Sequence, residues 1–220
     1  KLVTALLTMR LLDLNQISLD KPTRSYVPSL PNHHTHTVKQ LMRHRSGIRH
    51  YRGSKRKNCE VPNNSAWKDS SNTQYSTATK AATLFQNNPL MFSPDSKRCY
   101  TTHGYTVLGA ALEGATNKSF SGLIKREINQ RLNIPTLKPE VRNQSNPERA
   151  KIYSLSNGKI VPATRDNLSW KYPGGGLESS AIDLTRLGMK VLEGSFVSEK
   201  SLNTYSTKTK LSHNGSQSQR

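Results

Sequence analysis

The stretch Lys97–Ala111 constrains the fold most. Its first half, Lys97-Arg98-Cys99-Tyr100-Thr101-Thr102, is polar and follows a loop marked by Pro94-Asp95-Ser96. Its second half is small and apolar, with Tyr105, Leu108 and then Leu112 at helical spacing. The pattern predicts a loop presenting Tyr100, then a closely packed helix to about Glu113 with Thr102 as its N-cap. Gly104, Gly109, Ala110 and Ala111 leave room for another element to come close. A phenol at the mouth of a buried helix can transfer a proton if a base lies near. On this stretch alone, an ordinary half-buried tyrosine is the stronger reading.

A chain of 220 residues can build one sizeable core. The formal charge of +19 bears on solubility and attraction to polyanions, not on fold. Cys59 and Cys99 can pair but need not, and neither sits in a CxxC, which argues against a cysteine-built zinc site. The longest apolar run is too short and interrupted to span a membrane. No signal-peptide pattern is present, and the sequence opens without methionine directly into a helical pattern, as a piece of a longer chain would.

Lys1 to Leu14 is apolar on nearly all faces, which predicts a buried helix, with Asn15 at its left-handed C-terminal position. Ile17 to Pro31 reads as an extended connection. Thr37-Val38-Lys39-Gln40 is a capping box that starts a short helix, closed near Ser46-Gly47. Arg49 to Gln74 is polar without periodicity and reads as a long loop. A third helix is expected over Thr77 to Gln86, and a fourth over Phe120 to Leu132, capped by Ser119. Asn157-Gly158 between Lys151–Leu155 and Lys159–Val161 predicts a hairpin. Gly174-Gly175-Gly176 allows close backbone approach. Ser180 to Glu193 predicts a helix whose core face is Leu184, Leu187, Val191 and Leu192. Residues 204–220 are polar and read as a flexible tail after a domain spanning 1–203.

In this order the segments resemble the serine β-lactamase and D-Ala-D-Ala carboxypeptidase superfamily, in the branch holding class C β-lactamases, related esterases and mitochondrial LACTB-like proteins. The residues carrying the resemblance are Lys1-Leu2-Val3-Thr4-Ala5 through Leu19-Asp20, Thr37 to Tyr51, Tyr100 to Gly109, and Gly174 to Leu184. The resemblance implies an S-x-x-K nucleophile pair, a Y-x-N tyrosine that assists proton relay, and an acyl-enzyme released by water. Lys1 then corresponds to the motif lysine and Tyr100 to the motif tyrosine. Thr102 stands where many members carry asparagine, in a substrate-binding and orienting role. The nucleophilic serine should lie three residues before Lys1, a position outside this sequence, so these residues alone should be inactive.

Ser198-Glu199-Lys200 has the wrong spacing for that pair, and Ser54-Lys55 lies in a polar stretch. His213-Asn214-Gly215 has the letters of the family's third motif but lacks a strand pattern around it. Asp95-Ser96 replaces the usual Pro-Gly turn, which should strain that loop modestly. The implied fold is α+β, β-lactamase/transpeptidase-like. This chain should supply mostly the helical region with one β-hairpin, and most of the antiparallel sheet should be missing. That predicts a buried-type first helix left uncovered on one side, with a tendency to aggregate. The resemblance implies no cofactor and no metal. It implies a small-molecule or peptide substrate with an amide or ester carbonyl, and a periplasmic, secreted or mitochondrial location.

Two other readings compete. His33-His34-Thr35-His36, with His44 and His50, invites a metal, but histidines in a polar loop without a carboxylate pair are usually solvated. The run Lys39 to Lys57 holds eight Lys/Arg and no acid, which suits a basic non-catalytic module binding nucleic acid or anionic membrane. Only Tyr51 interleaves as an aromatic and no nucleic-acid-binding signature is present, so specific nucleic-acid binding is not expected.

Overall fold

A computed structural model describes residues 1–56, 59–61, 73–142 and 144–206. The chain is built around helix α4, Thr102–Thr116, whose residues from Thr102 to Glu113 are all buried. Helices α1 (Leu2–Asp13), α2 (Val38–Met42), α3 (Ala78–Ala82), α5 (Phe120–Leu123) and α6 (Tyr172–Gly175) pack directly on it. Small residues make this possible. A Cβ on Gly109 would lie 2.2 Å from Pro173 Cγ, and one on Gly114 would lie 1.8 Å from the Tyr26 carbonyl oxygen.

Local chemistry sets most of the element ends. Thr37 and Gln40 form the expected reciprocal capping box. Ser119 accepts from the Gly122 N–H and Ser180 from the Asp183 N–H. Asn15 takes φ of 55° after α1. Helix α4 departs from expectation at both ends. Thr101, in extended backbone, is the N-cap and accepts from Gly104 N–H at 3.1 Å, so Thr102 is the first helical residue. The helix runs on to Thr116 because Gly114 fits under Tyr26, and Asn117 ends it at φ of 53°.

Helix α1 is not left uncovered. Val3 to Met9 and Leu11 are all buried, because α4, α6 and α8 (Glu199–Ser206) enclose the helix. Asp13 ties α1 to α8 by accepting from Ser198 Oγ and Ser201 Oγ, both at 2.6 Å. Among the described residues, uncovered apolar side chains lie on α7 (Ala181–Leu192), at Leu2 and over residues 152–160. On α7, Leu187 is buried, while Leu184 and Leu192, expected in the core, are exposed.

Among the described residues the strands form three antiparallel pairs rather than one hairpin. β1 (Ser54–Arg56) pairs with β2 (Cys59–Val61), so part of the stretch expected as loop is a hairpin. β3 (Lys138–Pro139) pairs with β6 (Leu177–Glu178). β4 (Tyr153–Ser156) and β5 (Lys159–Pro162) form the expected hairpin, with Asn157 and Gly158 both at positive φ. Cys59 and Cys99 are disulfide-bonded, which fastens β2 to the segment leading into Tyr100. The third helix is shorter than expected and gives way to turns after Ala82. Helix α8 extends through Ser206, into the stretch expected as tail. Residues 207–220, including His213-Asn214-Gly215, lie outside the described residues.

Candidate active site

Lys1 lies at the start of α1, Tyr100 two residues before α4, and Thr102 at its first turn. The fold brings all three together. Lys1 Nζ donates to Thr102 Oγ1 at 3.2 Å and to the Gly174 carbonyl oxygen. It stands 4.6 Å from the centre of the Tyr100 ring and 5.7 Å from that of Tyr105. The Tyr100 side chain is 40% exposed, so the phenol forms the rim of the site rather than its floor.

Three local features place these groups. Thr4 Oγ1, one turn along α1, donates to the Pro173 carbonyl oxygen at 2.6 Å, and Pro173 fills the space beside Gly109. Gly174 follows directly and passes so close to α4 that a Cβ would lie 2.6 Å from Thr102 Cγ2 and 2.8 Å from Thr102 O. The expected close approach at the Gly-rich segment is therefore realised, and it delivers a carbonyl to the lysine. Third, the loop before Tyr100 is pinned at Asp95. This residue takes φ of 72°, the left-handed region disfavoured for a non-glycine residue. Its carboxylate and carbonyl both accept from Arg45, and its own N–H donates to Arg45 O at 2.8 Å.

Two histidines flank Tyr100. The His44 ring centre lies 4.7 Å from that of Tyr100 and the His50 ring centre 5.5 Å. His44 Nδ1 accepts from Thr101 N–H and His50 Nδ1 from Thr102 N–H, each at 3.2 Å. Burial, followed by the nearby Lys1 ammonium, lowers the His44 pKa from 6.5 to about 3, so that ring is neutral. Neither histidine is placed as part of a metal centre. Their motif, Arg43-His44-Arg45-Ser46-Gly47-Ile48-Arg49-His50-Tyr51, carried part of the family resemblance, but no sequence signal assigned the imidazoles to the helix start.

An aromatic group behind Thr102 was likewise not anticipated. His103 stacks on Phe85 at 3.9 Å, and Tyr51 meets the fully buried Trp170 edge-on at 5.0 Å. Lys171 Nζ lies over both the Tyr51 and the Trp170 rings.

The His33–His36 stretch is not solvated as expected. His34 and His36 are buried and bonded in series. His36 Nδ1 pairs with Thr23 Oγ1 at 3.0 Å, His36 Nε2 with His34 Nδ1 at 3.0 Å, and His34 Nε2 with the Gln86 carbonyl at 2.7 Å. A carbonyl only accepts, so His34 carries its proton on Nε2. Its Nδ1 then accepts from His36 Nε2–H, and His36 Nδ1 accepts from Thr23. Among the described residues, no group of three His, Cys, Asp or Glu side chains has metal-holding geometry. In the basic run, Lys39 pairs with Asp20, Arg45 with Asp95, and Arg43 donates to Thr204 O.

The family model described as "Beta-lactamase" matches residues 1–220. The mitochondrial serine beta-lactamase-like protein LACTB of Mus musculus is 24% identical over 88% of this chain and 47% of its own length. Its Homo sapiens counterpart is 26% identical over 88% of this chain and 46% of its own length. The chain thus spans about half the length of these curated relatives. Among solved structures, a D-stereospecific amidohydrolase from Streptomyces sp. superposes with a TM-score of 0.73 at 19% identity, covering 91% of this chain and 61% of that one. The fold is therefore β-lactamase/transpeptidase-like, seen here as a helix-rich part of it, and the chain belongs to the beta-lactamase family of serine hydrolases.

Proposed function

We propose that this chain is the helical part of a hydrolase that opens an amide or ester carbonyl through an acyl-enzyme, with Lys1 and Tyr100 as its proton-handling groups. The observation that carries the reading is the convergence of Lys1 Nζ, Tyr100 and Thr102 Oγ1 in one half-open site. To act as a base the Lys1 ammonium must first give up one proton; Thr102 Oγ1 and Gly174 O then hold its two remaining N–H groups, and the lone pair is left to take a proton. The attacking serine belongs three residues before Lys1, ahead of this sequence. As its oxygen bonds to the carbonyl carbon, its proton passes to Lys1 Nζ. When the tetrahedral adduct collapses, the carbon–leaving-group bond breaks. The Tyr100 phenol gives its proton to the departing nitrogen or oxygen and recovers one from the Lys1 ammonium. Water then repeats the sequence on the acyl-enzyme, releasing the acid and restoring the serine.

Thr102 orients Lys1 and the substrate. The substrate class is a small molecule or peptide with an amide or ester carbonyl, and the Streptomyces neighbour is an amidohydrolase. A periplasmic or secreted location fits the Cys59–Cys99 disulfide, since such bonds persist in oxidising compartments, and a mitochondrial one fits the likeness to the LACTB proteins. The test is labelling of the full-length protein with a fluorophosphonate or β-lactam probe. The expected result is one adduct, on a serine three residues before Lys1, abolished by Lys1→Ala. No adduct, or an adduct elsewhere that survives Lys1→Ala, overturns the reading.

A further inference from the structure

We propose that His50 is a positioning residue that fixes Thr102 and Tyr100 against Lys1, and that it does so only as the neutral imidazole. The inference rests on the hydrolase reading above and extends it to a residue with no assigned role.

The first turn of a helix leaves N–H groups without intrahelical partners. At α4 these are met by side chains. Thr101 Oγ1 serves Gly104 N–H, and His50 Nδ1 serves Thr102 N–H at 3.2 Å. Just ahead of the helix, His44 Nδ1 serves Thr101 N–H. The two histidines differ in setting. His44 is buried and also lies against Tyr105, with ring centres 5.0 Å apart, so it is part of the core. His50 is half-buried at the rim, its ring edge-on to Tyr100 at 74° and 4.3 Å from the Tyr51 ring centre.

His50 therefore grips both groups that face Lys1. One contact is to the backbone of Thr102, whose hydroxyl accepts from Lys1 Nζ. The other is to the ring of Tyr100, over which Lys1 Nζ stands. Accepting at Nδ1 fixes the ring as the Nε2–H tautomer. An imidazolium has no acceptor and must release the Thr102 N–H. It would also bring positive charge to a helix N-terminus, where cations are disfavoured. Its ring meets Tyr51 on its own segment and Tyr100 before α4, with Arg52 over the Tyr51 ring, and it acts on the neighbouring His44, which Lys1 from α1 and Arg98 before α4 also reach.

The test uses the full-length protein and the pH dependence of acylation by a fluorophosphonate ester. His50→Phe keeps a ring and loses the acceptor. His50→Asn offers Oδ1 to the same N–H and does not titrate. In the wild type, acylation should fall on the acid side, as the imidazole takes up a proton and loses its acceptor. His50→Phe should slow acylation by about tenfold to a hundredfold with KM little changed. His50→Asn should restore most of the alkaline plateau while removing the acid limb. A His50→Phe protein with the wild-type plateau, or a His50→Asn protein with an unchanged acid limb, overturns the proposal. If the wild type is not acylated at any pH, the hydrolase reading fails. The positioning role is then decided by nitrogen-15 histidine spectra. An Nε2–H tautomer at His50, with the Thr102 amide moving as His50 titrates, sustains it. An Nδ1–H tautomer, or a Thr102 amide indifferent to that titration, ends it.

Discussion

Lys1 Nζ stands over the face of the Tyr100 ring, 4.6 Å from its centre. The two residues meet because Thr4 and Pro173 lock α1 to α6, and Gly109 lets α6 lie on α4. The proposed mechanism requires the amine nitrogen and the phenol oxygen to come within hydrogen-bond reach in the substrate complex, directly or through one reacting atom. Tyr100→Phe removes the phenol and keeps the ring. Acylation of the full-length protein should fall by about 10²–10⁴-fold. The thermal midpoint should barely move, because Tyr100 is 40% exposed. Probe kinetics and calorimetry on the same sample check both halves, and an unchanged rate would remove Tyr100 from the proton path.

Gly109 and Gly114 sit on the same helix and separate stability from site geometry. A Cβ at either meets a neighbour well inside contact distance, so Gly109→Ala and Gly114→Ala should each cost about 1–3 kcal/mol by urea unfolding. The neighbours differ: Pro173 at Gly109, the Tyr26 backbone at Gly114. Pro173 precedes the carbonyl that holds Lys1, so only Gly109→Ala should also slow acylation. Equal slowing by both would mean that the α4–α6 contact does not set the lysine.

Glu113 is a buried carboxylate whose partners are all helix starts. Oε1 accepts from Ala78 and Phe120 N–H, both at 2.9 Å, and Oε2 accepts from Thr79 N–H at 3.0 Å. One side chain thus caps α3 and α5 together. Glu113→Ala should cost about 3 kcal/mol or more, since it strands several buried donors at once. Glu113→Gln, which retains one acceptor oxygen, should cost less. A loss below that of an ordinary surface substitution, measured by denaturant unfolding, would contradict the capping role.

Much of this was legible in the sequence, and the failures have physical causes. Caps and turns at Thr37, Ser119, Ser180 and Asn157-Gly158 depend on residues a few positions apart, so local chemistry located them. Thr101 and Thr102 are chemically equivalent as caps. What separates them is that Lys1, from the other end of the sequence, occupies the Thr102 hydroxyl. Glu113 and His50 act on partners distant in sequence or on backbone N–H groups that leave no pattern. The buried His34–His36 pair read as a polar loop because a chain of side-chain hydrogen bonds has no periodicity. Lys1, Tyr100 and Thr102 were found through family resemblance, and their meeting follows from helix packing that no single segment encodes.

His36 and His44 give the fold a defined response to acid. Burial, the larger cause in each, lowers both pKa values from 6.5 to about 3; His34 adds to it at His36 and Lys1 at His44. A lowered pKa means that the unfolded chain binds protons the folded chain excludes. Their contribution is fully present above pH 6.5 and is lost as pH falls from there toward 3, by about 1.4 kcal/mol per pH unit for each histidine. Asp183, held low first by its hydrogen bonds from Thr136, adds a further loss below its ordinary value of 3.8. Denaturant midpoints should therefore decline between pH 7 and pH 5, and His36→Gln should shallow that slope. A flat midpoint over this interval would mean that these imidazoles are already solvated in the folded protein.

The apolar face of α7 makes the last prediction. Ile182, Met189 and Leu192 lie along one side of the helix, 66%, 53% and 89% exposed, with Leu187 buried on the opposite side. Exposed apolar side chains gathered on one helix face favour self-association. Met189→Lys combined with Leu192→Gln should raise the concentration at which light scattering begins. It should change stability by no more than about 0.5 kcal/mol, as for surface positions. Leu187→Ala should instead cost about 2–5 kcal/mol, because it empties a filled core site. If the double variant lost stability on the scale of Leu187→Ala, that face would have to be covered in the protein in solution. Matching scattering curves for the variant and the parent would show that association runs through some other surface.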